Sequence, residues 1–244
     1  MPSINRNTLK NYFKKGGFAK ENHFIDLIDS SINSVDDGIR INKKDGLKLS
    51  KSIKSNKLIS FFKTVNQENS QYSFDLNKDD IDGLSISDND NKTIFKVNEN
   101  RKIGLNKDNP EFDLDVSGTV GLESRTGNFV KGFVYGDGNW HDIITGLDGL
   151  NSFEINASIK GNPKSGRYCI LHAFALSTFG GRASKSKIKS TTAYYGFFFN
   201  KIVLRWTGEI HNYNLQIRTR RNYGVNPVNG EPFKIQYNIT KLIS

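Results

Sequence analysis

The residues best suited to chemistry lie in the last third of the chain, where cations and aromatic side chains alternate. Arg, Tyr and Trp carry much of the contact energy at binding surfaces, aromatic faces stack on sugar rings, and guanidinium groups bind phosphate and sulfate. The candidate ligand-binding residues are Trp206, Tyr213, Arg218, Arg220, Arg221 and Tyr223. The alternative is that the aromatic residues belong to a core and the arginines form the solvated face of a strand.

Residues for enzyme catalysis are scarce. Cys169 and His172 lie three positions apart on one predicted strand, so their side chains face opposite sides and do not form a nucleophile–base pair. No nucleophile motif accompanies His141 and Asp142. The chain has no histidine pair at metal-binding spacing, no P-loop and no dinucleotide-binding glycine motif. We therefore predict a protein that is not an enzyme, with no catalytic residue, no metal site and no cofactor.

The charge distribution favours an anionic partner for the second half of the chain. The formal net charge is +10, yet residues 1–120 carry 19 Lys and Arg against 18 Asp and Glu, whereas residues 121–244 carry 16 against 7. Nucleic acid is one candidate partner for a basic domain. The cations fall on alternating strand positions and in a loop, and no nucleic-acid-binding motif is present. We therefore expect no specific nucleic acid and favour an anionic cell-surface glycan.

The sequence lacks the features that direct a chain into a membrane. No apolar run approaches the roughly 20 residues that a spanning helix needs. The first residues, MPSINRNTLKNYFKKGG, lack the apolar region of a secretory signal. A single Cys excludes an internal disulfide framework. We expect synthesis in the cytoplasm and no membrane insertion.

Residues 121–244 are predicted to form an antiparallel β-sandwich tip of roughly six to eight strands. Two-residue alternation in FEINASIK, YNLQIRTRR and KIQYNITKLI gives each stretch one buried and one wet face. It places Tyr213 inward and Arg218 and Arg220 outward. RYCILHAFALSTF and YYGFFFNKIVLRW are apolar on both faces. They are predicted to be central strands, or strands whose second face a neighbouring subunit covers.

Residues 37–120 are predicted to form a repetitive β shaft. Short units alternate apolar and polar residues and are separated by Gly, Asn and Asp at roughly 8–12-residue spacing, which is typical of short strands and turns. Each unit carries only two or three apolar residues, as in Phe95 and Val97. Such thin stripes close a core when several chains wrap around one axis. An intertwined homotrimeric shaft is predicted, and a low-complexity linker is the alternative.

Residues 1–36 are predicted to form a short helical hairpin that attaches the protein to another component. Apolar residues recur at helical spacing on both sides of a Gly pair. Helices of this length are marginal in water, so the hairpin must dock on something else. The candidate attachment residues are Tyr12, Phe13, Phe24, Leu27 and Ile28. An ordinary helical cap on the following domain is the alternative.

Three segments resemble tail-fibre and receptor-binding proteins of phage tails and phage-related contractile injection particles. Residues 9–30, LKNYFKKGGFAKENHFIDLIDS, are similar to the N-terminal segments of fibre-like proteins, with Ala19 and Lys20 where Pro is common. Residues 101–121, RKIGLNKDNPEFDLDVSGTVG, resemble the junction between fibre shaft and tip, apart from Leu105 and Asn106. The matching positions are Ile103, Gly104, Pro110, Leu114, Asp115, Val116, Gly118 and Val120. The stretches GNWH and AYYGFFFNKIVLRWTG resemble C-terminal modules of bacterial fibre-like proteins.

This resemblance implies a trimeric, fibre-like adhesive protein that acts as part of a virion-like or extracellular particle. It implies a homotrimer that attaches to a baseplate or particle protein through its N-terminal segment. It also implies that the tip binds a cell-surface receptor, either an anionic glycan or a protein. The alternative is a purely structural component, such as a plug, baseplate or surface scaffold, that has no glycan ligand.

Overall fold

β-Strands dominate the computed structural model, which describes residues 4–33, 36–51, 55–64, 66–78 and 82–243. The prediction of a mainly β protein is confirmed. The chain divides into two compact units, Met1–Gly121 and Leu122–Ser244. Within the described ranges, neither helix is long and apolar enough to cross a membrane.

Two helices begin the first unit, α1 (Arg6–Tyr12) and α2 (Glu21–Asp29). They touch through two aromatic pairs. The rings of Tyr12 and His23 stack with centroids 3.9 Å apart, and Phe13 meets Phe24 edge to face at 5.5 Å. Neither helix buries a residue. The predicted attachment residues Phe13, Phe24, Leu27 and Ile28 are therefore all exposed, and their role in attachment stays a prediction.

The rest of the first unit consists of eight short strands that pair in chain order. The strands are β1 (Ile39–Asn42), β2 (Gly46–Leu49), β3 (Lys57–Phe61), β4 (Tyr72–Leu76), β5 (Gly83–Asp88), β6 (Thr93–Asn98), β7 (Ile103–Leu105) and β8 (Leu114–Val116). Strands β1 and β2 form an antiparallel pair. Strands β3 to β8 form a six-stranded sheet that is antiparallel except between β7 and β8. Because these strands pair within one chain, the idea of a shaft of intertwined chains stays a prediction.

One face of the six-stranded sheet carries two unbroken apolar rows. The first row of cross-strand partners is Ile59, Phe74, Ile86, Phe95, Leu105 and Val116. The second row is Leu76, Leu84, Val97, Ile103 and Leu114. None of these eleven side chains is buried by the described residues. At about 4.8 Å per strand, each row crosses roughly 20 Å of apolar surface, more than the scattered apolar residues usual on a monomer.

The opposite face of this sheet is polar and buried. Asp75, Ser85, Lys96 and Asp115 lie in one cross-strand row and are at most 8% exposed. Hydrogen bonds hold part of the face: the Ser73 hydroxyl donates to Asp75, and Lys107 Nζ donates to Asp115 Oδ2 at 2.8 Å. A sheet with one solvated face normally buries its apolar side. In this sheet, within a single chain, the polar face is the buried one and the apolar face is the more accessible one.

The second unit consists of two antiparallel sheets that share one core. Its strands are β9 (Val130–Tyr135), β10 (His141–Leu147), β11 (Leu150–Lys160), β12 (Tyr168–Thr178), β13 (Lys187–Tyr194), β14 (Ile202–Glu209), β15 (Asn212–Thr219) and β16 (Lys234–Lys241). The five-stranded sheet has the order β13-β12-β11-β16-β9, and the three-stranded sheet has the order β10-β15-β14. Both sheets contribute to the core, for example Ile155 and Leu171 from the first and Ile217 from the second, all 0% exposed. This arrangement is compatible with the predicted sandwich.

The two strands predicted to be central behave differently. Strand β12 lies between β11 and β13, with Leu171, Ala173 and Ala175 buried and the intervening side chains open. The prediction of one central strand over YYGFFFNKIVLRW is wrong. Strand β13 ends at Tyr194, Gly196 adopts a φ of +79°, and β14 begins only at Ile202. Because that left-handed turn redirects the chain, β13 and β14 become edge strands of different sheets.

A matched pair of substitutions tests the alternation in β11. Ile155 is 0% exposed, so Ile155→Ala should lower the free energy of unfolding by about 2–5 kcal/mol through lost contacts and a cavity. Its neighbour Asn156 points outward and is exposed, so Asn156→Ala should change it by less than about 0.5 kcal/mol. Denaturant unfolding followed by tryptophan fluorescence measures both. Equal losses would contradict the assignment of the two faces.

Candidate ligand-binding surface

An outward-facing polar surface covers the three-stranded sheet of the second unit. Alternation in β15 buries Leu215 and Ile217 and turns Gln216 and Arg218 outward. The strand register sets Gln216 beside Arg205 of β14 on one side and Asp142 of β10 on the other. We call this surface the arginine face, defined by Trp140, Asp142, Arg205, Gln216 and Arg218.

Trp140 is the centre of the arginine face. It immediately precedes β10 and is half-buried. The Cζ of Arg205 lies 4.2 Å from the indole centroid, and the Cζ of Arg218 lies 4.5 Å from it. A guanidinium over an indole is attracted by the negative face of the ring. The indole therefore holds two cations from neighbouring strands in defined positions.

A short chain of hydrogen bonds fixes Arg205 from the other side. Arg205 Nε donates to Gln216 Oε1 at 2.7 Å, and Gln216 Nε2 donates to Asp142 Oδ1 at 3.0 Å. Arg218 Nε is buried without a hydrogen-bond partner among the described residues. Neither guanidinium forms an ion pair within the described part of the chain. Both cations remain available to an external anion.

The predicted site residues Arg220 and Arg221 lie at the end of this face. Arg220 is exposed, and its guanidinium carbon lies 5.8 Å from the ring centroid of Phe198. Its backbone N–H donates to Lys201 O, which keeps this end of β15 beside the start of β14. Arg221 follows in the turn and is half-buried. The structure thus brings three cations, Arg205, Arg218 and Arg220, to one side of the sheet.

The three predicted aromatic site residues do not join this surface. Tyr223 is 1% exposed, and its hydroxyl donates to the backbone oxygen of Asn200. Burial raises the pKa of Tyr223 well above its ordinary value. Tyr213 is also 1% exposed and donates to Gly149 O at 2.8 Å. Trp206 packs against the core beside Phe153. The placement of Tyr213 and Tyr223 in a surface patch is therefore wrong, because both side chains fill the interior.

The basic loop before β13 lies at the other end of the three-stranded sheet. The backbone N–H of His211 donates to Phe179 O at 2.7 Å, so the loop start abuts the turn between β14 and β15. Gly180 has a φ of +77°, and a Cβ there would lie 2.5 Å from Glu209 O, which leaves room only for glycine. Arg220 lies at the opposite end of β15. Arg182 of this loop lies near Thr207 and Tyr213, toward the end of β15 that is opposite Arg220.

A second polar cluster lies on the outer face of the five-stranded sheet. Glu154 is 7% exposed; it accepts a hydrogen bond from Arg125 at 2.6 Å and another from His172 Nε2 at 2.9 Å. The bond from His172 lowers the pKa of Glu154, burial opposes this, and the charge of Arg125 adds to the lowering. The cluster binds β11 and β12 to the segment that precedes β9. Its groups satisfy one another, which is typical of a structural role.

The other two histidines of the second unit form surface pairs with single carboxylates. His141 Nε2 lies 2.8 Å from Asp137 Oδ1, and His211 Nδ1 lies 2.7 Å from Asp148 Oδ1. Cys169 is buried whereas His172 faces out, which confirms that they point to opposite sides. Among the residues that the structure describes, no group of three His, Cys, Asp or Glu is placed to hold a metal ion.

Apolar side chains cover much of the other outer surface of this unit. Ile170, Phe174 and Leu176 of β12 point outward and are 58%, 43% and 50% exposed. The segment Tyr194–Phe199 adds aromatic side chains that are between 38% and 74% exposed. The outer face of the five-stranded sheet therefore combines an apolar patch on β12 with the Glu154 cluster, and the three-stranded sheet presents the arginine face.

Sequence reasoning missed Trp140 and left Arg205 out of the site. Trp140 lies in a turn-like stretch, GDGNWHD, that has no alternating pattern and no nearby cation in sequence. Trp140 directly precedes β10, so the alternation that turns Asp142 outward also predicts an outward Trp140. No protein-family model matches the chain, and no curated protein matches it either. The geometry of the residues therefore carries the functional argument.

The Glu154 cluster predicts a specific dependence of stability on pH. Because the pKa of Glu154 is lower in the folded state, this group stabilises the fold above its unfolded pKa of about 4.3, and the contribution disappears as pH falls through the folded pKa. Glu154→Gln should therefore lower the free energy of unfolding at pH 7, and the difference from the parent should shrink as the pH falls below the unfolded pKa. The exposed Glu123→Gln is the control. A difference that stays constant between pH 7 and pH 3 would contradict the assignment.

Proposed function

We propose that the chain is the subunit of a homotrimeric, fibre-like adhesive protein of a phage-tail-like or contractile injection particle. Its first unit supplies the self-association surface, and its second unit binds an anionic glycan on a target cell. The proposal keeps the predicted fold of an N-terminal helical hairpin, a β shaft and a sandwich tip. It treats the protein as a binding component rather than an enzyme.

The observation that carries the proposal is the open apolar face of the six-stranded sheet. The first row crosses all six strands and the second crosses five, and no described residue buries either row fully. Exposing such a surface to water is costly at about 25 cal/mol per Å². Further copies of the same chain bring identical apolar rows at equal concentration. Three faces turned toward one axis bury one another, which supports a closed trimer.

The second unit supports the same assembly because its two outer faces differ in chemistry. The outer face of β12 carries exposed Ile170, Phe174 and Leu176, whereas the arginine face lies on the other sheet, across the shared core. Contact between copies through the apolar face leaves the arginine face directed at solvent. The site then remains open to a target surface, and three copies of it act together.

Attachment to a baseplate or particle protein is proposed for the first 36 residues. Helices α1 and α2 bury no side chain of their own, and Phe24, Leu27 and Ile28 are 51%, 40% and 66% exposed. An exposed apolar stripe on a short helix is typical of a segment that docks into a groove of a partner.

Self-association is tested by mass measurement of the parent and of two matched variants. The parent should give about three times 27.5 kDa by light scattering at micromolar concentration. Ile86→Lys with Phe95→Lys puts two charges in the first apolar row and should give a monomer, because burying unpaired charge is unfavourable. Asn89→Lys with Glu99→Lys adds lysines at exposed turns of the same strands and should remain a trimer. A parent mass near 27.5 kDa, or trimers from both variants, would contradict the proposal.

Adhesion is tested by binding of labelled protein to whole cells and to purified surface glycan. Replacing Arg218, Arg220 and Arg221 together by Ser should weaken binding at least about tenfold, since three linked sites amplify each loss. It should also reduce salt sensitivity, because screened attraction is removed. The control replaces Lys185, Lys187 and Lys189 by Ser, which removes the same charge elsewhere. Equal losses in both variants would indicate unspecific attraction, and no cell binding by the parent would favour the purely structural alternative.

A further inference from the structure

We infer that Trp140, Arg205 and Arg218 form a site for a phosphoryl group, so that the glycan bound by this protein is a phosphorylated one. This inference rests on the proposed function, because it names the ligand class of the arginine face. It goes beyond net charge, since it assigns the anion to two particular guanidinium groups and one indole.

Both guanidiniums are held in place before any ligand arrives. Their carbons lie 4.2 and 4.5 Å from one ring centroid, so they are at most 8.7 Å apart. Arg205 is also tied through Gln216 to Asp142. Side chains that are already ordered lose little further freedom on binding, which favours affinity. A phosphoryl group within reach of both guanidiniums would also offset the repulsion between the two cations.

The number of free donors favours phosphate over carboxylate. Arg205 uses only its Nε–H, which leaves the four N–H groups of its terminal nitrogens without a partner among the described residues. Arg218 Nε is buried, so only the terminal nitrogens of Arg218 can meet a ligand. A carboxylate has two oxygens and saturates one guanidinium fork, whereas a terminal phosphoryl group has three oxygens and can engage two. The donor set therefore matches a phosphoryl group better.

The surroundings favour a sugar phosphate over a nucleic acid. The outward neighbours on this sheet are small, namely the polar Thr207 and Asn214 and the apolar Val203, and the adjoining carboxylate Asp142 already accepts from Gln216. Nucleic acid needs a cationic groove that follows several successive phosphates, often with stacked bases. The arginine face offers one concentrated pair of cations, and the loop cations lie beyond the other end of β15.

Trp140 reports binding at this site directly. The chain has two tryptophans, and Trp206 packs on the core. Titrating the full chain with α-glucose 1-phosphate should change the tryptophan fluorescence and saturate. Glucuronate at equal ionic strength should give at least tenfold weaker binding, and glucose should give none. Trp140→Phe should abolish the fluorescence response although Trp206 remains.

Charge-conserving variants separate this site from general attraction. Arg205→Lys and Arg218→Lys keep the charge but lose the planar fork, so each should weaken binding of α-glucose 1-phosphate about tenfold. Arg40→Lys, at an exposed position in β1, is the matched control and should change nothing. Unchanged circular dichroism and mass establish that the variants fold. Calorimetry repeats the measurement without the fluorescent reporter.

Several outcomes would overturn the inference. They are equal binding of glucuronate and α-glucose 1-phosphate, no effect of either Arg→Lys variant, or tighter binding of a thymidine oligonucleotide than of the sugar phosphate. Cell binding that survives Arg205→Lys and Arg218→Lys would refute this site while leaving the adhesive function standing. A saturable sugar-phosphate response in a chain that binds no cells would refute the adhesive function alone.

Discussion

The structure depends above all on a sheet that buries its polar face and leaves its apolar face open. In β3 to β8, Ser85 and Lys96 are enclosed while Ile86 and Phe95 on the adjoining positions stay accessible. One chain forms the strand pairing of this sheet by itself, but it leaves the apolar rows of the sheet only partly buried. The first unit therefore pairs its strands within one chain but leaves its apolar rows partly accessible, and the proposed self-association rests on that feature.

The second unit has a buried core of its own, and its two outer faces differ in chemistry. A core of fully buried side chains, such as Ile155 and Ile217, is shared by the two sheets of the sandwich. Because inward-facing residues of this unit fill the core, the outward side chains are not needed to complete it. The apolar residues of β12 then suit contacts between copies, and the arginines of β14 and β15 suit a charged ligand.

The arginine face shows how strand register turns scattered residues into a site. Trp140, Arg205 and Arg218 are far apart in sequence, and each comes from a different edge or strand of one three-stranded sheet. Neighbouring strands lie about 4.8 Å apart, so Arg218 is one strand and Arg205 two strands away from the position of Trp140. The indole then holds the guanidiniums by cation–π attraction, and Gln216 links Arg205 to Asp142. The same polar side chains on unpaired strands would have no common orientation.

The sequence by itself determined the period-two patterns. It predicted the mainly β character, the outward-facing positions of Arg218 and Arg220, and the inward position of Tyr213. Alternation is local, since successive side chains of a strand must face opposite sides. Only the tertiary structure decided that Tyr223 is buried, that the chain turns at Gly196, and that Trp140 contacts both Arg205 and Arg218. Those outcomes depend on which strands pair and in what register, and pairing partners distant along the chain leave no local periodic signal.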